Sequence, residues 1–381
     1  MPRSSVRRFA AALVIGFGMI AGAHGQTAPT AAPRTLGPGD CAALAAAGST
    51  AANLLDWRRL ADAPGPSGRR GDRSDASRAI RAELEGLAAL EARNRSAGAA
   101  LELYHRLAGV EARLGLLRRG IVEVDAAIAE VERIRARGLA AKVDEAALRR
   151  RRRELEGEDL ELALARSNLR GSLQTLGKFG PEPWTLAPPP IAEALELSPA
   201  ADPAAAVARG LARRPESRLL RLALRTLDSG TAPVARLLLA SSDPIAGGTP
   251  RGRLGLRAIR AHSAPDPDLC VLRRQLELYT ADRERAVAEE IAQAVRTVRV
   301  RFAEVDLARK QVQSWDDEVA RVEERTRQGL ASFAEALPAR AGLLKATEAL
   351  IAREVDRDVA LAKLRQAQGV LPCDRAGQGA G

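Results

Sequence analysis

Two long stretches of the chain place apolar residues at alternating spacings of four and three. In the first, Leu103, Leu107, Val110, Leu114, Leu117, Ile121, Val124, Ile128 and Val131 keep that alternation without a slip. This is a heptad seam, and with its flanks it predicts one helix over Ser77 to Arg137, near 90 Å long at about 1.5 Å per residue. Such a helix is not stable alone in water and needs a partner along its seam. Gly138 ends it in the manner of a left-handed cap. A second helix, Val143 to Leu176, then carries Leu148, Leu155, Leu162, Leu169 and Leu176 at strict sevens. Joined by so short a turn, the two helices are expected to fold back as an antiparallel pair.

The pattern is written twice. Val131 to Ala140 (VERIRARGLA) returns at Val322 to Ala331 (VEERTRQGLA). Upstream, Leu107, Leu114, Ile121, Val124 and Ile128 answer in register to Val298, Val305, Val312, Trp315 and Val319. The second copy opens with Ile291, Val295, Val298 and Phe302 and turns at Gly329. It returns through Ala336, Leu343, Leu350 and Leu364 to Gly369, with Pro338 near its start and Arg357 interrupting the seam. The expected fold class is all-α, with two tandem long antiparallel coiled-coil hairpins.

The expected organisation is a signal peptide over 1–25, then a linker and short helix over 26–76, the helix running from Cys41 to Ala61. A first hairpin follows over 77–177 and a Pro-rich linker over 178–203. The second hairpin spans 204–369, opening with a short helix to Thr226 and an irregular insert over 228–269. The tail is 370–381.

Composition agrees with long Ala/Leu-seamed helices, since aromatics are only 3 %. The formal charge is +11, of which Arg3, Arg7 and Arg8 supply three. No aromatic stacking pattern accompanies the rest, so the excess reads as a solvated helical surface and not a nucleic-acid footprint. Those three arginines, the apolar run Phe9 to Ile20 and the small-residue site Ala23-His24-Gly25 read as a secretory signal. Export makes disulfides permissible. Cys41 with Cys373 would tie the start of the mature chain to its finish, leaving Cys270; three unpaired thiols are the other reading.

Catalytic chemistry has little to rest on. His24 is lost with the signal, and His105 and His262 stand alone, so neither a metal site nor a triad can be assembled. The stretch Gly171 to Lys178 has one residue too many for a phosphate loop, and Phe179 stands where a hydroxyl is required. No enzyme and no cofactor is expected.

Together these motifs resemble the TolC-type outer-membrane efflux family, whose chains carry two tandem long-helix hairpins. The resemblance covers about 77–177 and 204–369. It is carried by the turns Arg135-Ala136-Arg137-Gly138-Leu139 and Arg325-Thr326-Arg327-Gln328-Gly329-Leu330, by Arg214-Pro215-Glu216, and by the helix endings Leu173 to Gly177 and Leu364 to Gly369. Ala99 to Ala108 is similar to the start of that family's first long helix.

The resemblance implies an α-barrel protomer in a homotrimer, a passive periplasmic or outer-membrane conduit of a tripartite efflux or type I secretion system. Its partners would be a membrane-fusion adaptor and an inner-membrane pump. The tips Arg135, Arg137, Gly138, Leu139, Arg325, Arg327, Gly329 and Leu330 would dock the adaptor.

The family also has β-barrel strands of about ten alternating residues. Here Asp62 to Asp75 is short and broken by Pro and Gly, and only Arg253 to Ile259 alternates, so strands are expected to be absent or vestigial. A periplasmic coiled-coil scaffold or adaptor without transport activity is the alternative.

Overall fold

The computed structural model describes residues 34–62, 72–139, 143–180, 182–187, 202–228, 231–232, 235–236, 239, 269–330 and 332–371. The expected signal peptide, the alternating stretch at Arg253 and Cys373 lie outside them.

Two helices run the length of the molecule, α3 (Asp72–Ala136, 65 residues) and α7 (Leu269–Arg327, 59 residues). Each turns into a helix about half as long, α4 (Glu145–Gly177) and α8 (Phe333–Ala367). Asp144 caps α4 by accepting from the Ala146 N–H at 2.9 Å. Ser332 and Glu335 form a capping box on α8. Pro338 lies inside α8, close to its start, where the lost N–H removes a single bond to Ala334 and the helix continues.

The short helices complete the two half-length positions. Helix α1 (Pro38–Gly48) packs alongside α3 and the last turns of α4, and α2 (Thr50–Asp62) continues along α3, with a Cβ on Gly48 falling 3.3 Å from the Leu176 carbonyl. The single helix expected from Cys41 to Ala61 is therefore two. Ser49 adopts an extended ψ of 108°, and its Oγ receives the Ala52 N–H. The helix expected over 204–226 is likewise two, α5 (Pro203–Arg213) and α6 (Pro215–Arg225). Pro215 holds Arg214 out of helical geometry, at ψ 123°. Helix α6 stacks on the end of α8, where a Cβ on Gly369 would lie 2.7 Å from Arg214 Cα.

Four positions thus stand side by side in one wall. They are α2–α4, then α3, then α6–α8, then α7, with α1 packed on α3 and α5 on α7. Both expected linkers contribute something the periodicity did not announce. Arg34–Leu36 (β1) and Trp184–Leu186 (β2) pair in parallel, Thr35 opposite Thr185. Around them Cys41, Tyr104, Leu107 and Leu173 form a core, and Arg170 lies 3.9 Å over the Trp184 ring. Tyr104 donates to the Ala187 carbonyl.

The heptad residues Leu107, Leu114 and Val131 are buried, as are Ile291, Val295, Val298, Val305 and Val322. A second face of α3 is built on another rule. Gly98, Gly109 and Gly120, each eleven residues on from the last, meet Gln366, Val355 and Leu344 of α8 in antiparallel register. Eleven residues make three turns at about 3.67 per turn, against 3.5 for heptads. One flank of α3 therefore calls for a left-handed twist and the other for a right-handed one. Glycine there lets the two backbones approach. In α7 and α8 the same device appears as Trp315 over Gly342, where a Cβ would come within 2.5 Å of the ring.

Candidate functional site at the hairpin tips

The two reversals have the same backbone geometry. Gly138 has φ +71° and Gly329 φ +72°. In the first, the Gly138 N–H donates to the Arg135 carbonyl at 2.8 Å and the Leu139 N–H to that of Ile134 at 3.2 Å. In the second, Gly329 donates to Thr326 at 3.0 Å and Leu330 to Arg325 at 2.8 Å. This pairing is a Schellman motif, and it satisfies carbonyls that the end of a helix leaves open.

Both glycines face open space, with nothing within 4 Å of where a Cβ would stand. The leucines that follow are 60 % and 67 % exposed, so neither is spent on the core. The structure brings Arg135, Arg137, Gly138 and Leu139 to one tip, and Arg325, Arg327, Gly329 and Leu330 to the other.

The arginines are not equivalent. Arg135 pairs with Glu145 across the first turn, and Glu145 also receives Arg149. Arg325 stands 4.0 Å from Glu335, its counterpart across the second turn. Arg327 pairs along its own helix with Glu324 at 2.8 Å. Arg340 clasps Glu323 with two nitrogens, at 2.7 and 3.2 Å. These are exposed pairs, and they orient side chains more than they stabilise the turn.

A second feature escaped the sequence reading because single exposed apolar residues are ordinary there. Apart from Val122 and the two tip leucines, every large exposed apolar side chain among the described residues lies on the outer positions of the wall. Leu54, Trp57 and Leu60 are on α2, and Leu160 and Leu164 on α4. Val271, Leu278, Val300 and Leu307 are on α7, at the opposite edge. Trp57 and Leu160 are each 73 % exposed, which is unusual for residues on well-packed helices.

Elsewhere, His105 sits 3.8 Å from Asp358 between α3 and α8. Arg357, which interrupts the return seam, lies over Phe302 and pairs with Asp358. Cys41 is fully buried; burial, and then the neighbouring Asp40 charge, push its thiol up to about 12 against the pull of Arg34. Cys270 is exposed at the start of α7, and the pairing of Cys41 with Cys373 falls outside the described residues. No described helix is long and apolar enough to cross a membrane.

Neither a protein-family model nor a curated protein matches the sequence. Solved structures do match. The Campylobacter jejuni CmeC outer membrane channel is 12 % identical, with 87 % of this chain and 85 % of that one covered and a TM-score of 0.59. The open state of the Neisseria gonorrhoeae MtrE outer membrane channel is 13 % identical over 88 % of this chain and 89 % of that one, with a TM-score of 0.57. The outer membrane protein VceC from Vibrio cholerae is 14 % identical over 88 % and 93 %, with a TM-score of 0.51. The chain therefore has the fold of these outer membrane channels, the tandem-hairpin fold that its resemblance to the TolC type implied.

Proposed function

We propose that this chain is one stave of a homotrimeric helical conduit, working passively in a tripartite efflux or type I secretion system. One observation carries the reading: the apolar side chains left uncovered lie on the two opposite edges of the wall. A surface on one edge that fits a different surface on the other makes a head-to-tail contact, and such contacts close into a ring where the rotation between copies closes. Leu307 and Val300 of one copy would cover Leu160 and Leu164 of the next. Val271 and Leu278 would cover Leu54, Trp57 and Leu60. The chain would be exported, as its N-terminal segment suggests, to the periplasm or outer membrane.

The tips are the proposed docking site for a membrane-fusion adaptor, with an inner-membrane pump beyond it. Two exposed leucines beside open, left-handed glycines offer small apolar contacts that another helical hairpin can approach closely. Arg135, Arg137, Arg325 and Arg327 would set the orientation and speed of that encounter.

The scaffold alternative gains from one measurement. Helix α2 ends at Asp62 and α3 begins at Asp72, so their connection is too short for two membrane strands of about 9–11 residues each. On the conduit reading, the first repeat would contribute no barrel hairpin.

Native mass measurement of the mature chain tests the ring, with a trimer expected and a stable monomer counting against it. Co-purification with an adaptor, lost on combining Gly138→Trp with Gly329→Trp, tests the tips; a scaffold without transport would leave cellular efflux unchanged when the gene is deleted.

A further inference from the structure

Helices α2 and α6 pack on α3 from two sides and leave it as the floor of a groove. Two overlapping parts of this groove have volumes of about 400 Å³ and about 360 Å³ and share Glu83, Leu87 and Arg218. Volumes of this size suit small ligands. The groove lies about 50 residues of α3 from the hairpin tip, or about 75 Å at about 1.5 Å per residue. It is set over the middle of the wall and not on either edge.

Five arginines line the groove against two carboxylates, Asp56 and Glu83. Three of the five are engaged. Asp56 accepts from Arg93 and stands 3.8 Å from Arg59, and Arg221 donates to Glu284 on α7 at 2.7 Å. Gly86 makes room for Arg59, whose Cδ and Nη1 would each lie 3.7 Å from a Cβ there. The other two, Arg218 and Arg225, are exposed and pair with no carboxylate among the described residues. Seven positions apart, they share one face of α6, about 10 Å from each other along it. Between the arginines the floor is apolar, with Leu87 and Leu222 buried and Leu90 and Leu224 partly so. Uncompensated cations above a leucine floor are complementary to an anion that carries an apolar tail.

We propose that this groove binds an anionic phospholipid. Its headgroup phosphate bridges Arg218 and Arg225, and the start of an acyl chain lies on Leu87 and Leu90. Guanidinium groups present paired donors that match phosphate oxygens. The leucines add an apolar contact for which a free phosphate has no use. The choice of phospholipid among amphipathic anions rests on the reading that the chain is exported, since membrane lipid is the anion of this kind that it then meets. The site itself lies within one chain and needs no ring to complete it.

Calorimetric titration of the whole mature chain with water-soluble dihexanoylphosphatidylglycerol is expected to show one molecule bound per chain. Arg218→Gln with Arg225→Gln should bind it about 25-fold more weakly, at about fivefold for each basic residue. The thermal midpoint should not move, because neither side chain has an ionic partner in the fold. Glu83→Gln removes the opposing charge and should bind about fivefold more tightly, a gain that misfolding cannot produce. Arg209→Gln with Arg213→Gln removes the same charge from exposed positions on α5 and should bind as the wild type does. Equal losses in the two arginine pairs would overturn the proposal, and so would an absence of binding. Equal affinity for dihexanoylphosphatidylcholine, decanoate or inorganic phosphate would overturn it as well. Native mass measurement of the same samples reports the ring, so failure of the groove and failure of the conduit reading are seen separately.

Discussion

Gly109 of α3 lies so close to Val355 of α8 that a Cβ on the glycine would stand 2.3 Å from Val355 Cγ2. One missing methyl therefore sets the separation of the two repeats at mid-height. Gly109→Ala gains about 1 kcal/mol of helix propensity and should still lose about 1–3 kcal/mol overall, because the branched Val355 has to move. Gly115→Ala, on a face with nothing within 4 Å, should stabilise the isolated chain by about 0.5–1 kcal/mol. Urea unfolding of the two variants should give opposite signs.

At the tips the same substitution acts through conformation alone. Gly138→Ala and Gly329→Ala meet no neighbour, yet each forces a Cβ into left-handed backbone at a cost of about 1 kcal/mol. Asparagine should recover part of it. Leu139→Glu with Leu330→Glu should leave the unfolding midpoint unchanged and abolish adaptor co-purification.

Charging one edge of the wall should dissociate the proposed ring without unfolding the stave. Leu160→Glu with Leu164→Glu is expected to convert trimer to monomer in native mass spectra, while circular dichroism remains that of the wild type. Loss of helix in the variant would show instead that these leucines serve the α3–α4 pair.

Glu216 gives stability its acid limit. Burial alone would raise its carboxyl, but the hydrogen bonds from Arg283 and the charges of Arg283, Arg214 and Arg95 hold it below the ordinary value of 4.5. A lowered folded value contributes stability above pH 4.5 that disappears as pH falls through the folded value. Unfolding measured between about pH 5 and about pH 2 should therefore show a downward bend that Glu216→Gln removes.

The heptads, the duplication and both turns were legible because each rests on local rules: seam periodicity, the left-handed freedom of glycine and the register of a repeat. The glycines at 98, 109 and 120 follow an eleven-residue rule, which the seven-residue seam on the neighbouring face masks. Trp315 falls on a seam, but nothing in the sequence marks Gly342 as its partner, since a glycine announces a close approach only once the facing helix is known. The β1–β2 pair joins residues about 150 apart in short segments with no alternation, where tertiary packing outweighs local preference. The Arg214–Glu216 network had a sequence trace in Arg214-Pro215-Glu216. Its partners Arg283 and Glu290 come from another helix, α7, and no spacing rule links them.

The two unlike edges also bear on gene dosage. A subunit spoiled on α4 alone still offers a sound α7 edge, so it would join a neighbour and leave the arc unable to close. Such an allele should be dominant over the wild type when both are expressed. A subunit spoiled on both edges has no way into the assembly, and it should be recessive.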